Sequence, residues 1–134
     1  MEGKKVILGL VQMRMTNSKK ENLEHALAMI GQAKKLGAQV VCLPELFTAP
    51  YFAQARGGRR EAAAQAETIP GKTTEALASA AKENGVILVG GSIYEKDGKK
   101  LYNTATVFDE NGRLLGKYRK VHIPHDECFY EKDY

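Results

Sequence analysis

The stretch Val40-Val41-Cys42-Leu43-Pro44-Glu45-Leu46-Phe47 is an apolar run interrupted by a proline and a carboxylate. The wider run Ala38–Leu43 is typical of a strand buried on both faces, and Lys5–Val11 is a second such run. A helix is predicted between the two runs, and strands joined in this way are usually parallel neighbours in one sheet. The start of the chain therefore predicts a strand–helix–strand unit, with Glu45 at the carboxyl end of its second strand.

Local signals bound the helix of this unit. Thr16-Asn17-Ser18 marks its start, Ser18 followed by Glu21 fits a capping box, and Gly37 marks its end. The predicted buried face consists of apolar residues spaced three or four positions apart: Leu23, Leu27, Ile30 and Ala33.

The pattern changes in the second half of the chain. An alanine-rich helix is predicted over Arg56–Glu67, and another helix is predicted from a cap at Thr73 or Thr74 to Asn84-Gly85. Three strands joined by Asp97-Gly98 and Asn111-Gly112 hairpin turns follow: Val86–Tyr94, Tyr102–Phe108 and Leu114–Tyr118.

This order of elements predicts an α/β fold in a single domain over residues 1–134, with a mixed sheet covered by helices on one side. Buried strands need cover on both faces. The second face must then be covered by further sequence or by another protomer, so we expect the chain to self-associate when it is made alone.

Composition excludes several classes of protein. Of the 134 residues 43% are hydrophobic and 27% charged, as in soluble globular domains. No apolar run is long enough to span a bilayer, and Met1–Lys5 leads into no signal-peptide pattern, so a cytoplasmic protein without membrane contact is expected. The net charge of +4 is scattered. Lys117-Tyr118-Arg119-Lys120 is the one short basic patch, which favours a solvated strand end over nucleic-acid binding but leaves a basic binding module as an alternative.

Two charged residues are candidates for chemistry. Glu45 follows a buried strand at the edge of the sheet where ligands bind in α/β folds, and partial burial would make it a proton acceptor near neutral pH. Lys120 ends a strand, where a fixed ammonium stabilises an oxyanion. From spacing alone, a solvated loop glutamate and a surface lysine remain the alternatives.

The remaining reactive side chains fit less well. His122-Ile123-Pro124-His125-Asp126-Glu127-Cys128 contains metal-ligand types, but its spacing matches no zinc motif, so His122 and His125 are interpreted as polar residues at a pocket mouth and no metal is expected. Alternation along the strand predicts that Cys42 faces away from Glu45, as a small core residue. Neither cysteine is expected to form a disulfide.

Longer segments resemble a known family. Val40–Phe47 is similar to the glutamate motif of the nitrilase superfamily of carbon–nitrogen hydrolases, and Gly112–Pro124 is similar to its lysine motif. Val11-Gln12-Met13 and Tyr102-Asn103-Thr104-Ala105 also lie where the family has similar stretches. The resemblance is ordered and runs through essentially the whole chain.

The resemblance implies an α–β–β–α sandwich and a Glu–Lys–Cys triad that needs no cofactor. Glu45 would be the general base, Lys120 the oxyanion stabiliser, and Glu131 a second glutamate that orients substrate and lysine. The family's nucleophilic cysteine follows the lysine by a few tens of residues. Cys128 is too close to Lys120 and its context does not match, so the chain is interpreted as the N-terminal part of the domain, inactive alone.

Substrate and partners are also expectations from the resemblance. The loop Leu46–Phe52 is similar to that of N-carbamoylputrescine amidases, which makes Tyr51 and Phe52 candidate substrate-binding residues and an amide or carbamoyl-amine the expected substrate. Homo-oligomers are expected because family members form them. The alternative is a truncated, inactive homologue that acts as an assembly or regulatory subunit.

Overall fold

One mixed sheet of five strands organises the chain. The computed structural model describes residues 5–54, 57–125, 127 and 130–133. Neighbouring strands follow chain order: β1 Leu8–Leu10, β2 Val40–Cys42, β3 Ile87–Asp97, β4 Lys100–Phe108 and β5 Leu114–Arg119. The first three are parallel, and β3, β4 and β5 form antiparallel pairs. The predicted mixed α/β sheet is confirmed, although β1 and β2 are shorter than the runs that predicted them.

Three α-helices accompany the sheet: α1 Lys19–Lys35, α2 Arg59–Gln65 and α3 Lys72–Asn84. Short 3-10 turns lie at Phe52–Gln54 and Glu131–Asp133. The start of the predicted α2 at Arg56 and the N-terminal residues 1–4 lie outside the described residues. None of the described helices is long and apolar enough to cross a bilayer.

The predicted N-cap of α1 is confirmed, because Ser18 Oγ accepts a hydrogen bond from the Glu21 N–H at 3.3 Å. The other half of the predicted capping box does not form, because the Ser18 N–H donates to Thr16 Oγ1 at 3.1 Å instead of to Glu21. The buried face of the helix differs from the prediction. Its fully buried residues are Asn22, Ala26 and Ile30, whereas the predicted Leu23, Leu27 and Ala33 are only partly buried. Asn22 is tolerated there because its amide donates to the carbonyls of Thr16 and Thr48, at 2.7 and 3.0 Å.

The predicted cap of α3 at Thr73 or Thr74 is wrong, because the N-cap is Gly71 and both threonines lie inside the first turn. The oxygen that caps the helix comes from outside it. Glu67 accepts a hydrogen bond from the Thr73 N–H at 3.0 Å, and its carboxylate also forms an ion pair with Lys19 at 2.6 Å. A carboxylate at this end of a helix is favoured by the free N–H groups and the helix dipole.

A bulge in β3 supports the turn that carries Glu45. The register of β3 against β4 shifts between Val89 and Ser92, and Gly91 within the bulge has a φ of 52°. A side chain at Gly91 would overlap the Pro44 carbonyl. The Ser92 hydroxyl accepts a hydrogen bond from the Leu46 N–H at 2.9 Å. The chain after β2 therefore packs directly onto β3, and Leu46 is buried rather than solvated.

The two faces of the sheet are covered unequally. Gly9 of β1 faces α1, within contact distance of Ala33. Its neighbours Leu8 and Leu10 point to the opposite face and are 62% and 79% exposed. Ile87 is in register with Val40 and Leu8 on that face and is also exposed. As the sequence predicted, one side of the sheet is covered by helices, here α1 and α3, and the opposite face of β1 and β2 is open and apolar. The short helix α2 packs separately, with its Ala62 against Tyr94 of β3.

A buried carboxylate lies on the helix-covered side of the β3–β5 region. The side chain of Glu95 is 2% exposed and accepts hydrogen bonds from Thr104, Lys117 and Arg119. The guanidinium of Arg119 contacts both carboxylate oxygens at 2.8 Å and also pairs with Asp97. Hydrogen bonding to Arg119, which outweighs the opposing effect of burial, lowers the pKa of Glu95 from 4.5 to about 2.

The open apolar face generates a prediction about association. We expect the 134-residue chain to self-associate, because exposed apolar sheet surface is an association site. Substituting Leu8 and Leu10 with lysine should raise the monomer fraction measured by light scattering. A monodisperse monomer of the unaltered chain, with cooperative unfolding, would contradict this expectation.

Glu95 generates a prediction about pH. Its lowered pKa contributes stability that is fully present above about pH 4.5 and lost as the pH falls towards 2. Glu95→Gln should therefore lower the free energy of unfolding by roughly 3 kcal/mol at pH 7. The difference from the parent, measured by urea denaturation, should shrink as the pH falls below 4.5. Substitution of the exposed Glu24 with glutamine is the control. If the effect of Glu95→Gln on the free energy of unfolding does not depend on pH, Glu95 is not the source of this pH-dependent stability.

Candidate functional site

Three charged side chains from distant parts of the sequence meet at one edge of the sheet. Glu45 follows β2, Lys120 follows β5, and Glu131 begins the last 3-10 turn. Lys120 Nζ lies 2.9 Å from Glu45 Oε1 and 2.8 Å from Glu131 Oε2. The structure thus brings together the three residues that the family resemblance had paired.

A fourth residue, Asn103 of β4, joins the two carboxylates. Its Nδ2 donates to Glu45 Oε1 at 2.7 Å and to Glu131 Oε1 at 2.8 Å. Its backbone carbonyl accepts a hydrogen bond from the Lys120 N–H at 2.9 Å. The sequence analysis did not include Asn103 among the site residues. The available signal was an amide side chain that alternation places on the same face as Ala105 and Val107.

The two glutamates have different surroundings. The Glu131 side chain is 4% exposed, and both of its oxygens accept hydrogen bonds: Oε1 from Asn103, and Oε2 from Lys120 and Tyr51. The Glu45 side chain is 49% exposed, more than the sequence analysis expected. Both donors to Glu45 contact Oε1, and no group among the described residues donates to Oε2. Of the two glutamates, Glu45 is therefore the one with an oxygen that receives no hydrogen bond from the described residues.

The surroundings of Lys120 and Tyr51 keep both of these hydrogen-bond donors protonated at neutral pH. Burial acts to lower the pKa of Lys120, but its hydrogen bonds with Glu131 and Glu45 outweigh burial and hold the pKa above its ordinary value. Burial, together with the nearby charge of Glu131, raises the pKa of Tyr51 to about 12. At neutral pH Lys120 is therefore a cation and Tyr51 a neutral hydrogen-bond donor, so neither can serve as a base.

The two predicted substrate-binding aromatic residues have structural contacts. Tyr51 donates its hydroxyl to Glu131 Oε2 at 3.1 Å and so belongs to the charged cluster. Phe52 packs on Tyr94 with ring centroids 5.9 Å apart, and its N–H donates to the Tyr94 hydroxyl at 3.2 Å. Tyr51 thus contacts the charged cluster directly, and Phe52 packs beside it on β3.

The two candidate histidines are not part of the charged cluster. His122 and His125 are both exposed, and the ring of His125 lies edge-on to Tyr130 at 6.4 Å. Within the described ranges no hydrogen bond or ion pair joins either histidine to Glu45, Lys120 or Glu131, and no group of three or more metal-ligating side chains occurs. Asp126 and Cys128 lie outside those ranges.

Cys42 departs from the prediction of alternation. It is half-buried, and it lines a hollow of about 350 Å³ on the open face of the sheet together with Glu45, Asn103 and Lys120. Alternation fails here because β2 ends at Cys42 and the chain turns at Pro44, so Glu45 no longer follows the strand. A second cavity of about 300 Å³ lies against Lys120 and Glu131 and is walled by Tyr94 and Tyr102. The charged cluster therefore opens onto two cavities.

Known proteins resemble this chain in sequence. The family model described as carbon-nitrogen hydrolase matches residues 7–134. Omega-amidase NIT2 of Xenopus tropicalis is 47% identical over 116 residues, which cover 87% of this chain and 40% of that protein. Omega-amidase NIT2 of Homo sapiens is 43% identical over the same coverage. The chain thus spans about 40% of the length of these relatives.

Solved structures share the fold. The carbon-nitrogen hydrolase from Helicobacter pylori G27 superposes with a TM-score of 0.82 at 31% identity, covering 96% of this chain and 44% of that one. Saccharomyces cerevisiae Nit3, a member of branch 10 of the nitrilase superfamily, gives 0.74 at 35% identity, covering 87% and 44%. Sequence and fold together show that this chain belongs to the carbon-nitrogen hydrolase family of the nitrilase superfamily.

Proposed function

We propose that the chain supplies Glu45, Lys120 and Glu131 to the active site of an amidase that cleaves a non-peptide carbon–nitrogen bond through a cysteine nucleophile. One observation carries the proposal. Lys120 Nζ is held by Glu45 Oε1 and Glu131 Oε2 at 2.9 and 2.8 Å, while Glu45 Oε2 receives no hydrogen bond from any residue in the described ranges. A cation and a carboxylate thus lie side by side, as an acyl-transfer reaction requires.

In the first half of the proposed reaction, Glu45 Oε2 takes the proton of the thiol. The sulfur bonds to the carbonyl carbon, and the carbonyl electron pair moves to oxygen, which faces the Lys120 ammonium. When the tetrahedral species collapses, the carbon–nitrogen bond breaks and the nitrogen takes the proton from Glu45. Ammonia leaves, and the acyl group remains on sulfur as a thioester.

In the second half, water attacks the thioester carbon and gives a proton to Glu45. The carbon–sulfur bond breaks, the thiolate recovers that proton, and the carboxylic acid product leaves. Glu131 has a different task in this scheme. Both of its oxygens accept hydrogen bonds, and its Oε2 contacts Lys120 Nζ at 2.8 Å, so Glu131 holds the ammonium of Lys120 in place.

The nucleophile of the scheme is proposed to come from sequence beyond Tyr134. By family resemblance it follows the lysine by a few tens of residues, and neither Cys42 nor Cys128 has a matching context. The 134-residue chain alone is then an inactive part of the site. The alternative is a truncated homologue that serves as an assembly or regulatory subunit, and sequencing the coding region past Tyr134 distinguishes the two.

For the substrate we favour an amide at the end of a carbon chain. The relatives named omega-amidase match 87% of this chain at 43–47% identity. An N-carbamoyl amine, such as N-carbamoylputrescine, is the second candidate, and the likeness of the loop Leu46–Phe52 favours it. That loop says little about the pocket, because Leu46 and Phe47 are buried and the Tyr51 hydroxyl is bound to Glu131.

Substitutions in the charged cluster test the proposed chemistry. In protein expressed with any coding sequence that follows Tyr134, Lys120→Ala should lower kcat about 100- to 1,000-fold, because an oxyanion donor is lost. Glu45→Gln should have at least as large an effect, because the proton acceptor is lost. Matched controls are Lys20→Ala and Glu24→Gln on the exposed face of α1. Near-normal ammonia release by Lys120→Ala would show that Lys120 is not the oxyanion residue.

The products distinguish the two substrate classes. Hydrolysis of a terminal amide releases ammonia and a carboxylic acid, whereas hydrolysis of an N-carbamoyl amine releases ammonia, carbon dioxide and an amine. We expect ammonia without carbon dioxide to be released faster from a panel of terminal amides than from N-carbamoylputrescine. Faster turnover of N-carbamoylputrescine, with equal yields of ammonia and carbon dioxide, would reverse the assignment.

A further inference from the structure

We infer that Asn103 is a positioning residue that selects which oxygen of Glu45 reacts; this inference rests on the proposed function. The Asn103 amide nitrogen has two N–H bonds, and the structure uses one for each glutamate: 2.7 Å to Glu45 Oε1 and 2.8 Å to Glu131 Oε1. Asn103 is 9% exposed. A single planar group thus sets the separation of two carboxylates that would otherwise repel each other.

The ammonium of Lys120 alone cannot select one oxygen of Glu45. It is a point charge with three freely rotating donors, so it attracts either oxygen of a carboxylate without fixing the plane of that group. Asn103 approaches from a strand, where its backbone is fixed by pairing with Tyr94. Lys120 and Asn103 both donate to Glu45 Oε1, and no donor to Glu45 Oε2 occurs in the described part of the chain. The amide therefore determines which Glu45 oxygen can accept the proton.

The same residue also places Lys120. The Asn103 carbonyl accepts a hydrogen bond from the backbone N–H of Lys120 at 2.9 Å. This main-chain contact fixes the end of β5 beside Asn103. This backbone contact is kept in any variant of the Asn103 side chain. Substitution therefore separates the orientation of the carboxylates from the placement of the lysine.

The test compares Asn103→Asp and Asn103→Ser with the parent enzyme. Asn103→Asp replaces the two N–H donors of the amide with one acceptor oxygen, and it adds a third carboxyl whose repulsion disfavours the ionisation of all three together. We expect its kcat to fall about 100-fold and the acidic limb of its pH–kcat/KM profile to move to higher pH by about one unit or more. Asn103→Ser should lower kcat about 10-fold with a smaller displacement of that limb. In both variants KM should change less than kcat.

Controls separate this inference from the proposed function. Asn84→Asp makes the same chemical change at the end of α3, where the amide donates to the backbone carbonyl of Ala80 at 2.8 Å, and it should leave the pH profile unchanged. Glu45→Gln reports on the proposed function: if it keeps parental turnover, that function fails. If Glu45→Gln is inactive but both Asn103 variants keep the parental kcat and pH profile, with only a lower melting temperature, Asn103 is structural and the inference is wrong. Should Asn103→Asp not fold, as judged by circular dichroism, Asn103→Ser decides the question by the same criteria.

Discussion

The ion pair between Lys120 and Glu45 spans a distance that the strands alone would not allow. β2 and β5 lie three strand spacings apart in the sheet, roughly 14 Å. The 2.9 Å contact exists because the chain after β2 crosses the bulge of β3, where Gly91 leaves room for the Pro44 carbonyl. Glu45 is thereby carried to the amide of Asn103 on β4, and Lys120 completes the span from β5. The sheet irregularity and the charged site are parts of one arrangement.

The end of β5 is held from both faces of the sheet. Arg119 and Lys120 are adjacent in sequence and point to opposite sides, as successive strand residues do. On the helix-covered side Arg119 donates two hydrogen bonds of 2.8 Å to the buried Glu95. The Arg119 guanidinium also lies over the Tyr102 ring, 3.8 Å from its centre. On the other side Lys120 meets Glu45 and Glu131. The residues at the end of β5 thus form ion pairs on both faces of the sheet.

Features set by neighbouring residues were predictable from sequence, and those set by distant contacts were not. The Ser18 cap, the Gly85 stop and the hairpins depend on a few adjacent residues, and the structure confirms them. The prediction of the α3 cap was wrong because the capping oxygen comes from Glu67, which precedes the helix across a chain reversal. Motifs singled out Glu45 and Lys120, and Asn103 lies in the family-like stretch Tyr102–Ala105. Its bridge between the two glutamates, however, depends on the position of β4 in the sheet. The hydrogen bonds of Glu95 with Thr104, Lys117 and Arg119 were not predicted either, because they join residues of different strands.

The separation of the site residues along the chain also sets the order in which they can meet during synthesis. Glu45 precedes Lys120 by 75 residues, and Glu131 follows 11 residues later. At the usual rates of translation, Glu45 leaves the ribosome about 4–15 s before Lys120. Throughout that interval β1, α1 and β2 can pack together while Glu45 lacks its cation. The charged cluster consequently cannot form until Lys120 and Glu131 have been synthesised, after the residues of the three helices α1, α2 and α3.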